Sequence, residues 1–512
     1  MAPTHWNHFI SVVVYHAENN QAALKKTLNS LLHQTYRNIE VIVFGNDLPR
    51  DCRQDDFMTL RGLITRPDLN ANSFLKSKHY DSFYRGDYLL FAPAGTIFYS
   101  NCFELAVDAI NNYTEQFPDL AIFDYDCIAS SQTTSERVFL PGWDPEFALS
   151  TDSYRTAFLS SRKLVERVRS KYVLPNLDSW ISSVAKLHPQ PEHAHISEPA
   201  IHFTKDEQLD QSLPRLHRVE RPAGSNPTVS LIIPNRNRPD LLKSCLAMLD
   251  HIQGLDLDLI IVDNNSEDAE TLDLYKGLKS RIGAKIIDAG AMFNYSRMVN
   301  IGVQESQSDF IALINNDVEF TIPGEFENLV YHAMRPEVGI VGARLFYPSG
   351  RIQHAGIVID TGVMGNMGSE FRCRHVLRGC EKSESDPRFP QNADRSFMAV
   401  TGAVQVMKRD VFNSLGGYDE VYLPIEYNDI DFCLRAKIEE YRVLCVALEG
   451  VFHRESESRG KEDSPETRRM REKAIKVMLS RWSEFVENKP YGHPAIEVGD
   501  CPKPVVMSNP KS

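Results

Sequence analysis

Along this chain apolar residues gather in short β-branched runs, each followed by a polar turn and then by apolar positions three and four apart. The early stretch ISVVVYHAENNQAALKKTLNSLLHQTYRNIEVIVFGND is one such unit and closes on a second β run. The order predicts strand, helix, strand. Beginning at residue 229, VSLIIPNRNRPDLLKSCLAMLDHIQGLDLDLIIVDNNS repeats it. Ser11 aligns with Ser230 and Val43 with Val262, at one offset of 219 residues. A third pair follows: GDYLLFAPAGTIF at 86–98 parallels SDFIALINNDVEF at 308–320, where the offset has become 222. Three matched elements in one order read as a duplication.

Recurring strand–helix–strand units imply an α/β protein with two tandem domains and mostly parallel sheets. The polar, proline-containing segment before Val229 is the natural linker. The expected limits are a first domain at 1–210, a linker at 211–228, a second domain at 229–460, and a helix with a tail at 461–512. In that last part Met470, Ala474, Val477, Met478 and Trp482 share one helical face. The segment Thr361–Ser396, rich in Gly and charge, shows no sustained period and is expected to be a loop or lid.

A length of 512 residues agrees with more than one domain, and 42% apolar with 24% charged residues suits a globular protein. The net charge of −13 argues against nucleic acid as a partner. The opening MAPTHWNHF has neither the basic nor the apolar region of a secretory signal. No apolar run approaches the roughly 18 residues of a spanning helix. Nine cysteines without a CxxC pair suit core thiols of a reducing compartment. A cytoplasmic protein is expected.

The copies differ at their strand ends. In the second, the ends read Pro234-Asn235, Asp263-Asn264-Asn265 and Asn315-Asn316-Asp317. In the first, the matching positions are Tyr15-His16, Phe44-Gly45-Asn46 and Pro93-Ala94-Gly95. Ligands of open α/β sheets bind beyond the carboxyl ends of the strands, so the polar set of the second copy should line one crevice. Asn-Asn-Asp is also a good turn sequence. Its coincidence with Asp263 favours a site.

Eight stretches carry a resemblance: VSLIIPNRNRPDLLKSCL, IIVDNNS, FNYSRMVNIGV, FIALINNDVEF, GARLFYPSGRIQHAGIVI, TGAVQVMKRDVFNSLGGYDE, YNDIDFCLRA and HRESESRG. In order and together, they resemble the inverting family-2 nucleotide-sugar glycosyltransferases of the GT-A fold. The likeness is strongest to bacterial surface-polysaccharide enzymes of the rhamnosyltransferase type. The first half is similar to the degenerate N-terminal copy of tandem members.

The resemblance implies a divalent cation, Mn²⁺ or Mg²⁺, on the donor diphosphate, with Asp317 and His453 as its ligands. It implies nucleotide-sugar contacts from Pro234, Asn235, Asp263, Asn294, Arg297, Asn300, Asn315 and Asn316, and phosphate contacts from Ser456 and Arg459. Asn294 is equally an N-cap candidate. Asp429 matches the general base, with Asp431 and Glu426 as helpers or alternatives. As carboxylates at the start of a helical pattern, Asp429 and Asp431 also suit plain capping. At a spacing of two they do not share a helix face. Gln353, Thr401, Gly402 and Ala403 fall on the acceptor side.

The expected function is therefore transfer of a sugar from a UDP-, dTDP- or GDP-type donor to a hydroxyl of a growing, lipid-linked surface glycan, with peripheral attachment to the inner membrane face. A non-catalytic carbohydrate-binding or assembly protein is the rival. A polymerase with two active sites is disfavoured by Phe44 and Pro93-Ala94-Gly95.

Overall fold

A computed structural model of the chain describes residues 6–15, 21–44, 48–49, 60–66, 74, 76–77, 80–113, 116–129, 136–151, 153–154, 158–172, 177–205, 224, 226–363, 369–382, 393–454 and 465–488. The expected linker up to residue 223, much of the expected lid, the tail after 488, and both Ser456 and Arg459 lie outside the described residues.

Two compact units divide the chain near Arg215 and Leu216. In the second unit, eight strands form one sheet. Their spatial order is Lys285–Asp288, Asp256–Asp263, Thr228–Asn235, Phe310–Ile314, Val404–Lys408, Val338–Ala343, Arg442–Val446 and Arg395–Ser396. The first four run parallel to one another. Val229, Leu231, Ile232 and Ile233 are fully buried, as befits a strand covered on both faces. The covering helices are locally encoded. Pro239 opens the helix Pro239–Leu246, and Asp268 caps Ala269–Ile282 by accepting from the Thr271 N–H. Helix Tyr295–Gln304 lies so close to the sheet that a Cβ at Gly302 would stand 2.4 Å from the Ile232 Cγ2, so only glycine fits.

A four-stranded sheet of short strands stands apart. Val318–Phe320 pairs antiparallel with Val451–His453, which pairs parallel with Leu345–Phe346, which pairs with Ile352–His354.

In the first unit, nine strands form one sheet, and eight of them run in the order Leu63–Arg66, Ile39–Phe44, Ile10–Tyr15, Tyr88–Pro93, Phe158–Ser161, Leu120–Ala129, His193–Lys205 and Ile97–Phe98. Through its first seven strands this is the order of the second unit, with the same alternation of parallel and antiparallel pairs. The α/β class with mostly parallel sheets expected from the sequence is the class observed.

One expectation is revised. Part of the segment expected to be a loop forms a hairpin, Ile357–Val363 with Ser369–His375, in register from Ile357 opposite His375 to Val363 opposite Ser369. Its second strand alternates Phe371, Cys373 and His375 with Glu370, Arg372 and Arg374. That is a strand period, carried by residues too polar to stand out. The charged stretch near the end is the helix Pro465–Asn488, which buries Ala474, Met478 and Trp482, half-buries Val477 and leaves Met470 exposed.

Candidate active site

The second sheet reverses its order at Thr228–Asn235: the next two strands in sequence lie on one side, and Phe310–Ile314 lies on the other. Such a switch point opens a crevice beyond the strand ends. Asn235 and Asp263 sit opposite each other there, at the ends of paired strands. The Asp263 Oδ1 accepts from the Tyr275 hydroxyl at 2.7 Å, and Oδ2 accepts from the Ser266 N–H at 2.9 Å. Asn235 donates to the Tyr275 oxygen at 2.7 Å and accepts from the Asn316 Nδ2 at 2.6 Å. Burial pushes the Tyr275 phenol up, so it keeps the proton it gives to Asp263. Asn316, Asn235, Tyr275 and Asp263 thus form one rigid polar floor, with Pro234 in the strand beneath.

Beside that floor Asp317 ends the Asn-Asn-Asp tip, and His453 stands in register with Val318 on the neighbouring strand. The Asp317 Oδ1 and the His453 Nε2 are 3.1 Å apart, with the carboxylate buried. His453 Nδ1 lies 2.8 Å from the Gln353 Oε1. The backbone N–H of Arg454 donates to the Asp317 carbonyl at 3.0 Å and locks the two strands together at this point. Cys245 is close by: burial first and then the charges of Asp317 and Glu319 hold its thiol up, and its Sγ lies 3.6 Å from the Asn315 carbonyl. Among the described residues no group of three or more His, Cys, Asp or Glu side chains is placed to hold a metal. As ligands, Asp317 and His453 would supply one carboxylate oxygen and one imidazole nitrogen. That chemistry fits Mn²⁺ or Mg²⁺ when a diphosphate and water supply the remaining positions.

Asp429 lies in the first turn of the helix Asn428–Ile438 and is half-buried. Its Oδ2 accepts from the Gly402 N–H at 2.7 Å, and its Oδ1 from the Ile430 N–H at 2.9 Å. The Gly402 carbonyl and the Asn315 Oδ1 lie 3.1 and 2.9 Å from the Tyr295 hydroxyl. The Asn315 N–H donates to the Ala403 carbonyl at 3.0 Å, while the Thr401 N–H faces the His354 Nε2 at 3.5 Å. Gly402 thus stands between Asp429 and Tyr295, whose single hydroxyl proton is shared by the Gly402 carbonyl and the Asn315 Oδ1, two residues from Asp317. Asp431 points elsewhere, as its spacing from Asp429 requires. It is buried and accepts from the Arg435 Nε at 2.9 Å, the Arg481 guanidinium at 3.1 Å and the Trp482 indole at 3.0 Å. Glu426 is gripped by Arg471 at 2.8 to 3.2 Å.

Helix Tyr295–Gln304 turns its polar residues toward the segment that leads to Asp429. Asn294 caps the helix by accepting from the Arg297 N–H, and its amide donates to the Glu420 carbonyl at 3.0 Å. Asn300 donates to the Tyr418 carbonyl and to the Glu420 carboxylate, and accepts from the Tyr418 N–H. The Ser296 hydroxyl donates to the Leu423 carbonyl, and Asn428 donates to that hydroxyl. Arg297 is exposed. Tyr275, Tyr295 and the clamp from the last helix were not visible as site residues in the sequence. Tyr295 sits inside FNYSRMVNIGV, where its place just after the cap was the available signal.

Residues 230–386 match the family described as Glycosyl transferase family 2. An uncharacterized protein of Sinorhizobium fredii, y4gI, is 27% identical over 552 residues, covering 98% of this chain and 59% of its own length. The O-antigen biosynthesis protein RfbC of Myxococcus xanthus is 28% identical over 387 residues, covering 68% of this chain and 30% of its own. The chain thus spans less than two thirds of either relative. Among solved structures, GalNAc-T7 with UDP, GalNAc and Mn²⁺ aligns over 52% of both chains at 15% identity and a TM-score of 0.39. The family match thus falls on the segment that carries Asn235, Asp263 and Asp317.

Proposed function

We propose that the chain is an inverting, metal-dependent glycosyltransferase whose second unit does the chemistry. It would move a sugar from a nucleoside-diphosphate donor to a hydroxyl of a lipid-linked surface glycan. The observation that carries this reading is that Asp429 is held through the Gly402 backbone beside Tyr295 and Asn315, two residues before Asp317 of the Asp317–His453 pair.

Each group has a definite task. Asp317 and His453 hold the cation, which when bound offsets the charge that builds on the departing diphosphate. The floor of Asn235, Asp263, Tyr275 and Asn316 gives the nucleoside a preformed surface, and Asn315 stands between that floor and the base. Asp429 accepts the proton of the acceptor hydroxyl as the oxygen attacks the anomeric carbon from the face opposite the diphosphate. The Gly402 N–H holds one of its oxygens in place. No covalent intermediate is needed, so one carboxylate suffices. Asp431 and Glu426 keep this base in position rather than taking part.

The surface-glycan acceptor is supported by the name of the Myxococcus xanthus relative, an O-antigen biosynthesis protein. Among the described residues no helix is long and apolar enough to cross a membrane. Peripheral attachment at the inner face of the cytoplasmic membrane is part of this proposal. The deciding experiment incubates the full chain with UDP-, dTDP- and GDP-sugars plus Mn²⁺ and measures donor hydrolysis. Turnover of one nucleotide class supports the reading. Saturable glycan binding with no turnover of any donor would leave a carbohydrate-binding protein instead.

A further inference from the structure

His453 and Gln353 meet at two points. Besides the contact between the His453 Nδ1 and the Gln353 Oε1 at 2.8 Å, the Gln353 Nε2 donates to the His453 carbonyl at 3.3 Å. The second bond fixes which way the amide faces: its oxygen is the atom turned to the ring. An amide oxygen can only accept, so Nδ1 must carry the proton. In the neutral imidazole the lone pair then belongs to Nε2. That nitrogen lies 3.1 Å from the Asp317 Oδ1. Two acceptors at such a distance repel each other unless a positive charge joins them.

We propose that Gln353 is a positioning residue, which sets the tautomer and ring angle of His453 for a divalent cation shared with Asp317. The inference rests on the metal reading above and deepens it. Imidazoles that bind metals characteristically hand their second N–H to a carbonyl or carboxylate, and loss of that partner weakens the metal. Gln353 does more than this, because its one amide grips both the ring and the backbone of the same residue. It is buried on Ile352–His354, and both this strand and Val451–His453 are paired to Leu345–Phe346. Ligand and orienter are therefore fixed to one small frame. The adjacent His354 turns its Nδ1 to the His375 Nδ1 at 3.0 Å.

The alternative is a protonated His453 that simply pairs with Asp317, with Gln353 as a brace and no cation. Mn²⁺ binding to the full chain, read from the loss of the free aqueous Mn²⁺ resonance with and without UDP, separates the two. Gln353→Leu and the longer Gln353→Met should each weaken Mn²⁺ by about tenfold or more. Gln353→Glu still accepts from Nδ1–H but loses the N–H that holds the His453 carbonyl, so its affinity should fall between the wild type and Leu. Thermal unfolding checks that each variant is folded. If the Leu and Met variants bind Mn²⁺ like the wild type, the positioning role is wrong while the metal reading stands. The positioning role fails equally if the folded Glu variant binds as poorly as Leu. A wild-type chain that binds no Mn²⁺ under either condition removes the metal reading and this inference together.

Discussion

The backbone N–H of Gly402 donates to the Asp429 Oδ2 at 2.7 Å, so the segment 401–403 and the candidate base are held as one piece. A Cβ at Gly402 would stand 3.2 Å from the Asp429 Cβ and 3.4 Å from its Oδ2. Gly402→Ala should therefore push the carboxylate aside without touching the nucleotide floor. The expected result is a fall in kcat of about tenfold or more, since small misplacements of a reacting group are costly. The donor KM should stay near wild type. Steady-state kinetics with varied donor gives both numbers.

Removing the base without changing its shape is the sharper test. Asp429→Asn keeps the side chain's volume but cannot take a proton, and turnover should drop by roughly 10²-fold or more. Nucleotide binding, measured separately by calorimetry, should be nearly unchanged. Activity retained in Asp429→Asn but lost in Glu426→Gln would transfer the role to Glu426.

Asp317→Ala removes the buried carboxylate of the candidate metal pair. Transfer should be abolished and Mn²⁺-dependent nucleotide binding sharply weakened, while thermal unfolding remains a single transition. EDTA should silence the wild type, and added Mn²⁺ should restore it. Full turnover in EDTA would end the metal assignment.

Asp431 ties the last helix to the segment that carries the base. Its carboxylate is almost wholly buried among Arg435, Arg481 and Trp482. Taking away one member of a buried charged cluster leaves the others unpaired, so Asp431→Ala should cost about 3 kcal/mol in urea unfolding. Nearby Asp419 adds a pH dependence. Burial acts to raise its carboxyl, but the Tyr422 N–H, Arg481 and the Val421 N–H outweigh it and hold the group below its ordinary 3.8. A lowered carboxyl stabilises the fold above its unfolded value and loses that effect as pH falls through the folded one. The protection of Pro465–Asn488 against hydrogen exchange, taken relative to the intrinsic rate at each pH, should therefore be level at neutral pH and fall only below about pH 4. Asp419→Asn should remove that acid-side change.

The sequence made the strands and covering helices legible because β-branched runs and capped, apolar-periodic helices each keep their own period. Asp317 also stood out at a strand end, and His453 through the family resemblance. Their partners did not. Gln353 reaches His453 through strands of two and three residues, too short to show any period. Asn294 and Asn300 read in the sequence as nucleotide contacts and, for Asn294, as a cap, yet their amides hold backbone more than a hundred positions away. Contacts of that kind depend on how the chain closes on itself and leave no local trace.

The first unit offers the last prediction. In the second unit Phe320 pairs with Val451, which puts His453 opposite Val318, the residue after Asp317. In the first unit Phe98, the counterpart of Phe320, pairs with Ile201, so Phe203 stands where His453 does and Gly95 where Asp317 does. Phe203 is buried with its ring 5.1 Å from that of Tyr125. Both candidate ligands are thus replaced, one by an aromatic that fills space and one by a residue with no side chain. We expect this unit to bind neither nucleotide nor catalytic metal and to act as a structural or acceptor-holding domain. Calorimetry of the full chain with UDP and Mn²⁺ should give one site, and Asp317→Ala should abolish it entirely. Saturable Mn²⁺-dependent UDP binding that survives in Asp317→Ala would place a working site in the first unit, and the enzyme would then have to be treated as a polymerase with two active centres.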